Sequence, residues 1–197
     1  NSTSLGKYAN VWHNTEIIKG STRATANIYE FNMDEFKILD LQSEKYHVLN
    51  WIAILLKNRV FVKKTPIAKT AEKYIIEEFL PDTEGYDIIS GYRADDSYFS
   101  FARAFLANEI SLGQLSYAMK LGKLGEQYVL KSEKAFNQIE FKSAEIANHE
   151  VYHTLRNNRD EEARKAYFEE LEKDDIDGIY MRDIIREEIK SYDERLR

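Results

Sequence analysis

YDIISGYRADDSYFSFARAFLANEISLGQLSYAMKLGKLGEQYVLKSEKAF, running from Tyr86 to Phe136, is the stretch on which the fold class turns. Tyr86 to Tyr92 is a short apolar run of strand length, closed by the turn Arg93-Ala94-Asp95-Asp96. Two helices are expected between Ser97 and Leu121, broken at Asn108 to Ser111, with Ser111 capping the second. Gln127 to Lys131 then reads as another strand, followed at once by a segment capped by Ser132.

Working outward, Ile139 to Lys142 is a further strand candidate, and Ala24 to Phe31 alternates in the manner of a strand. Lys37 to Leu41 makes another short one. Ser43 is expected to cap a helix carrying Tyr46, Leu49, Ala53 and Leu56 at helical spacing, widened by Val48, Ile52 and Leu55 into a largely buried stripe. Thr65 followed by Pro66 predicts a helix start, an oxygen cap and then a proline where no N–H is needed, and that helix stops before Pro81. Near the beginning, Ser2 or Ser4 is a candidate cap for a helix through Tyr8 and Trp12. The fold class is therefore α+β: a small mixed or antiparallel sheet, helices inserted between strands, and a charged helical C-terminal appendage.

Composition supports one domain of ordinary size with such an appendage. Hydrophobic residues make up 43% of the 197 and charged residues 31%, the balance of a globular chain with a sizeable core. Thirteen tyrosines and ten phenylalanines against two prolines favour sheet. The division expected is a domain over 1–150 and an appendage over 151–197. From Arg156 onward the chain holds 24 charged side chains, 10 basic and 14 acidic, with pairs such as Glu161/Lys165 and Glu169/Lys173 at four-residue spacing. Tyr167, Phe168 and Leu171 are candidates to dock its first part; Ile179, Ile184, Ile185 and Ile189 are candidates for the second.

The absence of cysteine removes a disulfide framework, a thiolate nucleophile and cysteine-ligated metal, and a reducing cytoplasm fits best. A net charge of −6 argues against a long-range field that draws nucleic acid. The longest apolar run, Trp51 to Leu56, is far short of the roughly 20 residues that span a bilayer, so no membrane partner is expected. No Walker loop, Rossmann glycine fingerprint or Gly-x-Ser-x-Gly elbow occurs.

Three constellations carry candidate chemistry. His149-Glu150-Val151-Tyr152-His153 has the H-E-x-x-H form: two imidazoles four apart share a helix face and can hold zinc, with Glu150 as base for a metal-bound water. Glu169, Glu170 or Glu172 would supply a third ligand. The plainer account is a surface helix with two incidental histidines, since the surrounding tail has the composition of an exposed helix, and no metal is expected. In the Arg93-Ala94-Asp95-Asp96 turn, Asp95 or Asp96 most simply caps the helix that follows. Asp87, inside an apolar strand, calls for a partner, either backbone or an arginine. His47 and Trp51, one turn apart, read as core. The Gly125-Glu126-Gln127 step into the late strand reads, from its residues alone, as a wet strand end.

Two runs carry a resemblance. Tyr86-Asp87-Ile88-Ile89-Ser90-Gly91-Tyr92-Arg93-Ala94-Asp95-Asp96 and Gln127-x-x-x-x-Ser132-Glu133-Lys134-Ala135 resemble the bacterial domain-of-unknown-function family 3990, grouped with the ADP-ribosyltransferases. The likeness extends from about Thr3 to the closing Asp193-Glu194-Arg195-Leu196-Arg197. It implies an ADP-ribosyltransferase-like fold and NAD as a substrate. Transfer of ADP-ribose to a protein or nucleic-acid acceptor would follow, in a bacterial toxin with an antitoxin partner or in a phage-defence effector. It puts Gln127, with Glu126 beside it, at the position that hydrogen-bonds the nicotinamide ribose. The family's Tyr-His-Gly and Gly-x-Gly-Phe-Tyr motifs are absent as written. The likeness of Ser2 to Ala9 to the helix after the second motif implies that both lie before Asn1. A rival alignment takes Val11-Trp12-His13-Asn14-Thr15 as a degenerate copy of the His motif. A glutamine in place of a carboxylate, with those motifs absent, also implies a binding-only relative that engages a protein partner.

Overall fold

In chain order the elements are β1 (Ala24–Glu30), β2 (Ile38–Asp40), α1 (Val48–Asn58), α2 (Pro66–Phe79), β3 (Ile88–Tyr92), α3 (Asp96–Leu106), α4 (Leu112–Lys120), β4 (Glu126–Leu130), α5 (Glu133–Asn137), β5 (Glu140–Ala147), α6 (His149–Leu171) and α7 (Met181–Arg186). The structure, a computed structural model, describes residues 24–59, 65–92, 96–121, 126–147, 149–173 and 175–196. The expected Ser2 or Ser4 helix, the Val11 to Thr15 segment, Arg93 to Asp95 and Gly125 lie outside these.

The mixed α/β class holds, but the strands form two sheets instead of one. β2, β3 and β4 lie side by side, β2 parallel to β3 and β3 antiparallel to β4. β1 and β5 make a separate antiparallel ribbon.

Polar caps define the helices where the sequence signals them. Thr65 Oγ1 accepts the Ala68 N–H at 3.3 Å and opens α2, which ends at Phe79. Ser111 and Gln114 cap reciprocally: Ser111 Oγ accepts the Gln114 N–H at 3.1 Å, and Gln114 Oε1 accepts the Ser111 N–H at 3.0 Å. Ser132 Oγ accepts the Ala135 N–H at 3.1 Å and starts α5. The Ser43 cap is not observed. Its hydroxyl donates to the Asp40 carbonyl at 2.7 Å, and Asp40 Oδ1 accepts the Gln42 N–H at 2.9 Å, which folds the segment into turns. The helix starts at Val48 instead, where Asn50 Oδ1 accepts the His47 N–H at 3.0 Å. Tyr46 thus lies before the helix whose stripe it was expected to begin.

α1 lies almost wholly in the core, with Leu49, Ile52 and Ala53 fully buried. Around it pack Leu39 and Ile89 from the sheet, Ile75 and Phe79 from α2, Phe105 from α3 and Leu115 from α4. The charged C-terminal segment enters the same core: Met181, Ile184, Ile189 and Leu196 are buried in it. Of the expected docking residues, Ile184 and Ile189 are fully buried and Tyr167, Leu171, Ile179 and Ile185 half-buried against the core, while Phe168 is exposed. The segment is pinned across the α3–α4 break, where the Leu112 N–H donates to the Ile179 carbonyl at 2.7 Å and the Ser111 hydroxyl to Asp175. Four buried apolar residues spaced along an acidic and basic run anchor it.

The opposite face of the three-stranded sheet meets a smaller cluster of Phe36, Ile88 and Ala135, flanked by Phe31, Ile38, Tyr128 and Leu130. No helix among the described residues is long and apolar enough to cross a membrane.

Candidate functional site

The two faces of the sheet separate the side chains around the β3–β4 pair. Opposed residues share a face in an antiparallel pair, and successive residues alternate. Ile89 pairs with Val129 and Gly91 with Gln127, and this face turns toward α1. Ile88 pairs with Leu130 and Ser90 with Tyr128 on the other, while Tyr92, paired with Glu126 at the end of the ladder, packs against the helical core. The helices cover β2 and β3 but not the edge strand β4. Ile89 is buried, while Val129 opposite it is 41% exposed and Gln127 is exposed.

Gln127 therefore stands at the start of an edge strand, open to solvent, its ladder position set by Gly91. Glu126 pairs with Tyr92 in the ladder, and its side chain lies outside the described ones. Tyr92 is half-buried, and that burial raises its phenol above the ordinary value, so it is neutral at physiological pH.

Behind Gly91 lies the indole of Trp51. A Cβ on Gly91 would come 2.9 Å from Trp51 Cζ3 and 3.0 Å from Cε3, so no larger residue fits without moving the ring. The expectation that Trp51 is core is borne out. The close approach was missed, although a glycine inside a strand pattern is its usual signal. His47 is half-buried, edge-on to Phe79 at 5.4 Å between ring centroids, with Nε2 3.3 Å from the Ser191 carbonyl.

On the other face, the Ser90 hydroxyl donates to Asp40 Oδ1 at 3.2 Å, closing the ends of the parallel pair. Asp87 resolves as backbone-partnered. Its Oδ2 accepts the Lys37 N–H at 3.0 Å, and its own backbone bonds to Lys37, Lys131 and Ser132. The Ser132 hydroxyl, then the Lys37 N–H, hold its carboxyl below the ordinary carboxylate value. It ties β2, β3 and β4 together at the end of the sheet away from Gln127.

His149, Glu150 and His153 fall in the first two turns of α6, and their side chains lie outside the described ones. Thr154 and Leu155 next to them are exposed. Asp96 is the first residue of α3, its side chain likewise outside the described ones. Among the described residues, no three His, Asp or Glu side chains converge on a point that could hold a metal ion.

A family model described as "Protein of unknown function (DUF3990)" matches residues 2–141. The chain belongs to this family. The DUF3990 match includes β1 to β4, α1 to α5 and the first two residues of β5; α6, α7 and the buried C-terminal residues lie beyond it. No curated protein and no solved structure matches the chain.

Proposed function

We propose that this chain is an ADP-ribosyltransferase that moves ADP-ribose from NAD to a macromolecular acceptor, with Gln127 as the residue that engages the nicotinamide ribose. The observation that supports this most is the placement of Gln127: exposed, at the second position of an edge strand, and seated opposite a glycine. In such a transfer the bond from ribose C1′ to the nicotinamide nitrogen breaks, nicotinamide leaves neutral, and C1′ bonds to an acceptor atom that gives up its proton. Positive charge builds on the ribose as the bond lengthens. An amide oxygen stabilises that charge, though less than a carboxylate would. Glu126, the residue before it in the strand, carries the adjacent carboxylate and is the second candidate. The acceptor class, protein or nucleic acid, and a toxin or phage-defence role belong to the same proposal.

A second reading is favoured by one specific observation. Phe141, Ile146 and Leu155, on β5 and α6, are at least 56% exposed, as is fitting for a module whose work is to bind a protein partner. Protein expressed from its natural start codon, incubated with labelled NAD and host lysate, separates the two. Label transferred to a macromolecule, and lost by at least tenfold in Gln127→Ala, supports the transferase. A folded protein that neither transfers label nor consumes NAD supports the binding module.

A further inference from the structure

We infer that Trp51 and Gly91 form a positioning seat for Gln127, an inference that deepens the transferase reading and rests on it for its catalytic meaning. Gly91 is the ladder partner of Gln127. The six-membered ring of Trp51 lies so close to Gly91 that an added Cβ would sit 2.9 Å from it, where carbon atoms normally pack at about 3.5–4.0 Å. The ring is enclosed by the core. Trp51 is 4% exposed, and the residue before it, Asn50, fastens α1 to the end of α2 by donating from Nδ2 to the Phe79 carbonyl at 2.8 Å.

β4 pairs with β3 in an antiparallel ladder, and Gly91 is the β3 residue opposite Gln127. A displacement of Gly91 therefore passes directly to Gln127. The indole N–H of Trp51 is buried and has no hydrogen-bond partner among the described residues. Burying an unpaired donor is unfavourable, so the ring serves this position by its reach and not by its polar atom. Trp51 and Gly91 touch no substrate in this reading; they act through Gln127.

A size exchange tests the seat. Uniformly labelled full-length protein is compared as wild type, Gly91→Ala, Trp51→Phe and the double variant, reading backbone residual dipolar couplings at Gln127 together with transfer from NAD. Gly91→Ala is expected to reorient the Gln127 N–H. It should also lower transfer by roughly 100-fold, the loss expected for a displacement of about 1 Å, in kcat more than in KM. Adding Trp51→Phe makes room for the new methyl group and is expected to return both readouts toward wild type. A folded Gly91→Ala protein with wild-type couplings at Gln127 overturns the seat, as does a double variant that fails to restore them. Should Gly91→Ala not fold, Trp51→Phe alone decides: altered couplings at Gln127 support the seat and unaltered ones overturn it. A wild-type protein without transfer removes the transferase reading, while the couplings still judge the seat.

Discussion

The helical body and the β1–β5 ribbon are built on opposite terms. In the body, Leu49, Ile52, Ile75, Phe79, Phe105 and Leu115 are fully buried, and residues from both sides of the β4–β5 region in sequence converge on them. In the ribbon no described side chain is buried, and Ile146 is 74% exposed. The body is stabilised by burial, at roughly 25 cal/mol for each square ångström of apolar surface removed from water. The ribbon depends on its own ladder and cross-strand pairs, which for an isolated two-stranded sheet in water are marginal. Each kind of damage therefore registers in a different place. Body substitutions should change global stability, and ribbon substitutions should change local opening only.

The largest effect that would break this contrast is a core truncation. Phe79→Ala, at the meeting of α1, α2 and the C-terminal segment, is expected to cost about 3–5 kcal/mol in urea unfolding, and Met181→Ala about 2–5 kcal/mol. Ile146→Ala is expected to stay within roughly 0.5 kcal/mol. A Met181→Ala protein as stable as wild type would show that the C-terminal segment lies on the body without supporting it.

Asn50 is the polar counterpart inside the body. Its Oδ1 accepts from His47 and its Nδ2 donates to the Phe79 carbonyl, so one side chain joins the start of α1 to the end of α2. Asn50→Ala strands a buried carbonyl and an N–H, at a cost of about 1–3 kcal/mol. Thermal unfolding checks it. A loss below about 0.5 kcal/mol would mean that water takes over both bonds and that the junction is wetter than its burial suggests.

Asp87 tests the sheet of the body, since it binds its three strands together at one end. Its folded carboxyl is held below the ordinary value of 3.8, first by the Ser132 hydroxyl and then by the Lys37 N–H. A carboxyl lowered on folding contributes stability above its unfolded value and loses it as pH falls through its folded one. Wild type should therefore exceed Asp87→Asn in stability at pH 7, with the gap closing below about pH 4. Chemical unfolding across pH 2–7 measures the gap. A gap of constant size would assign the effect to shape and not to charge.

What could be read from the sequence, and what could not, follows the same physics. Thr65-Pro66, Ser111 and Ser132 were legible because capping is local: an oxygen reaches an N–H three residues on. Ser43 failed by the same rule, because Asp40, also local, captured the turn first. Ile184 and Ile189 were legible as docking positions, but not their full burial, since the surrounding charges dominate any local average. The split into two sheets and the contact of Trp51 with Gly91 were beyond reach, being pairings between residues about 40 to 120 positions apart. For the candidate site, the strand carrying Gln127 could be placed from sequence, while its glycine partner and the indole behind it required the register.

The smallest effect belongs to the ribbon. Glu30 and Glu140 are paired directly in its register, an arrangement that destabilises a sheet unless something neutralises it. Ile28 pairs with Ser143 and Tyr29 with Phe141, which leaves Lys142 as an extra residue bulged out of the ladder. Its Nζ lies 2.7 Å from a carboxylate oxygen of each glutamate. The hydrogen bond to Glu140, then that to Glu30, raises its ammonium above the ordinary value. A lysine raised on folding supports the fold below its unfolded value and ceases to as pH climbs through its folded one. All three groups are exposed, so water and salt screen the interaction and the global midpoint should not register its loss. Lys142→Ala is expected to speed amide exchange in β1 and β5 while leaving α1 and α2 unchanged, and Glu30→Gln in the same chain should slow it again. Faster exchange in α1 as well would mean that the ribbon and the body open together, and the contrast between them would fail.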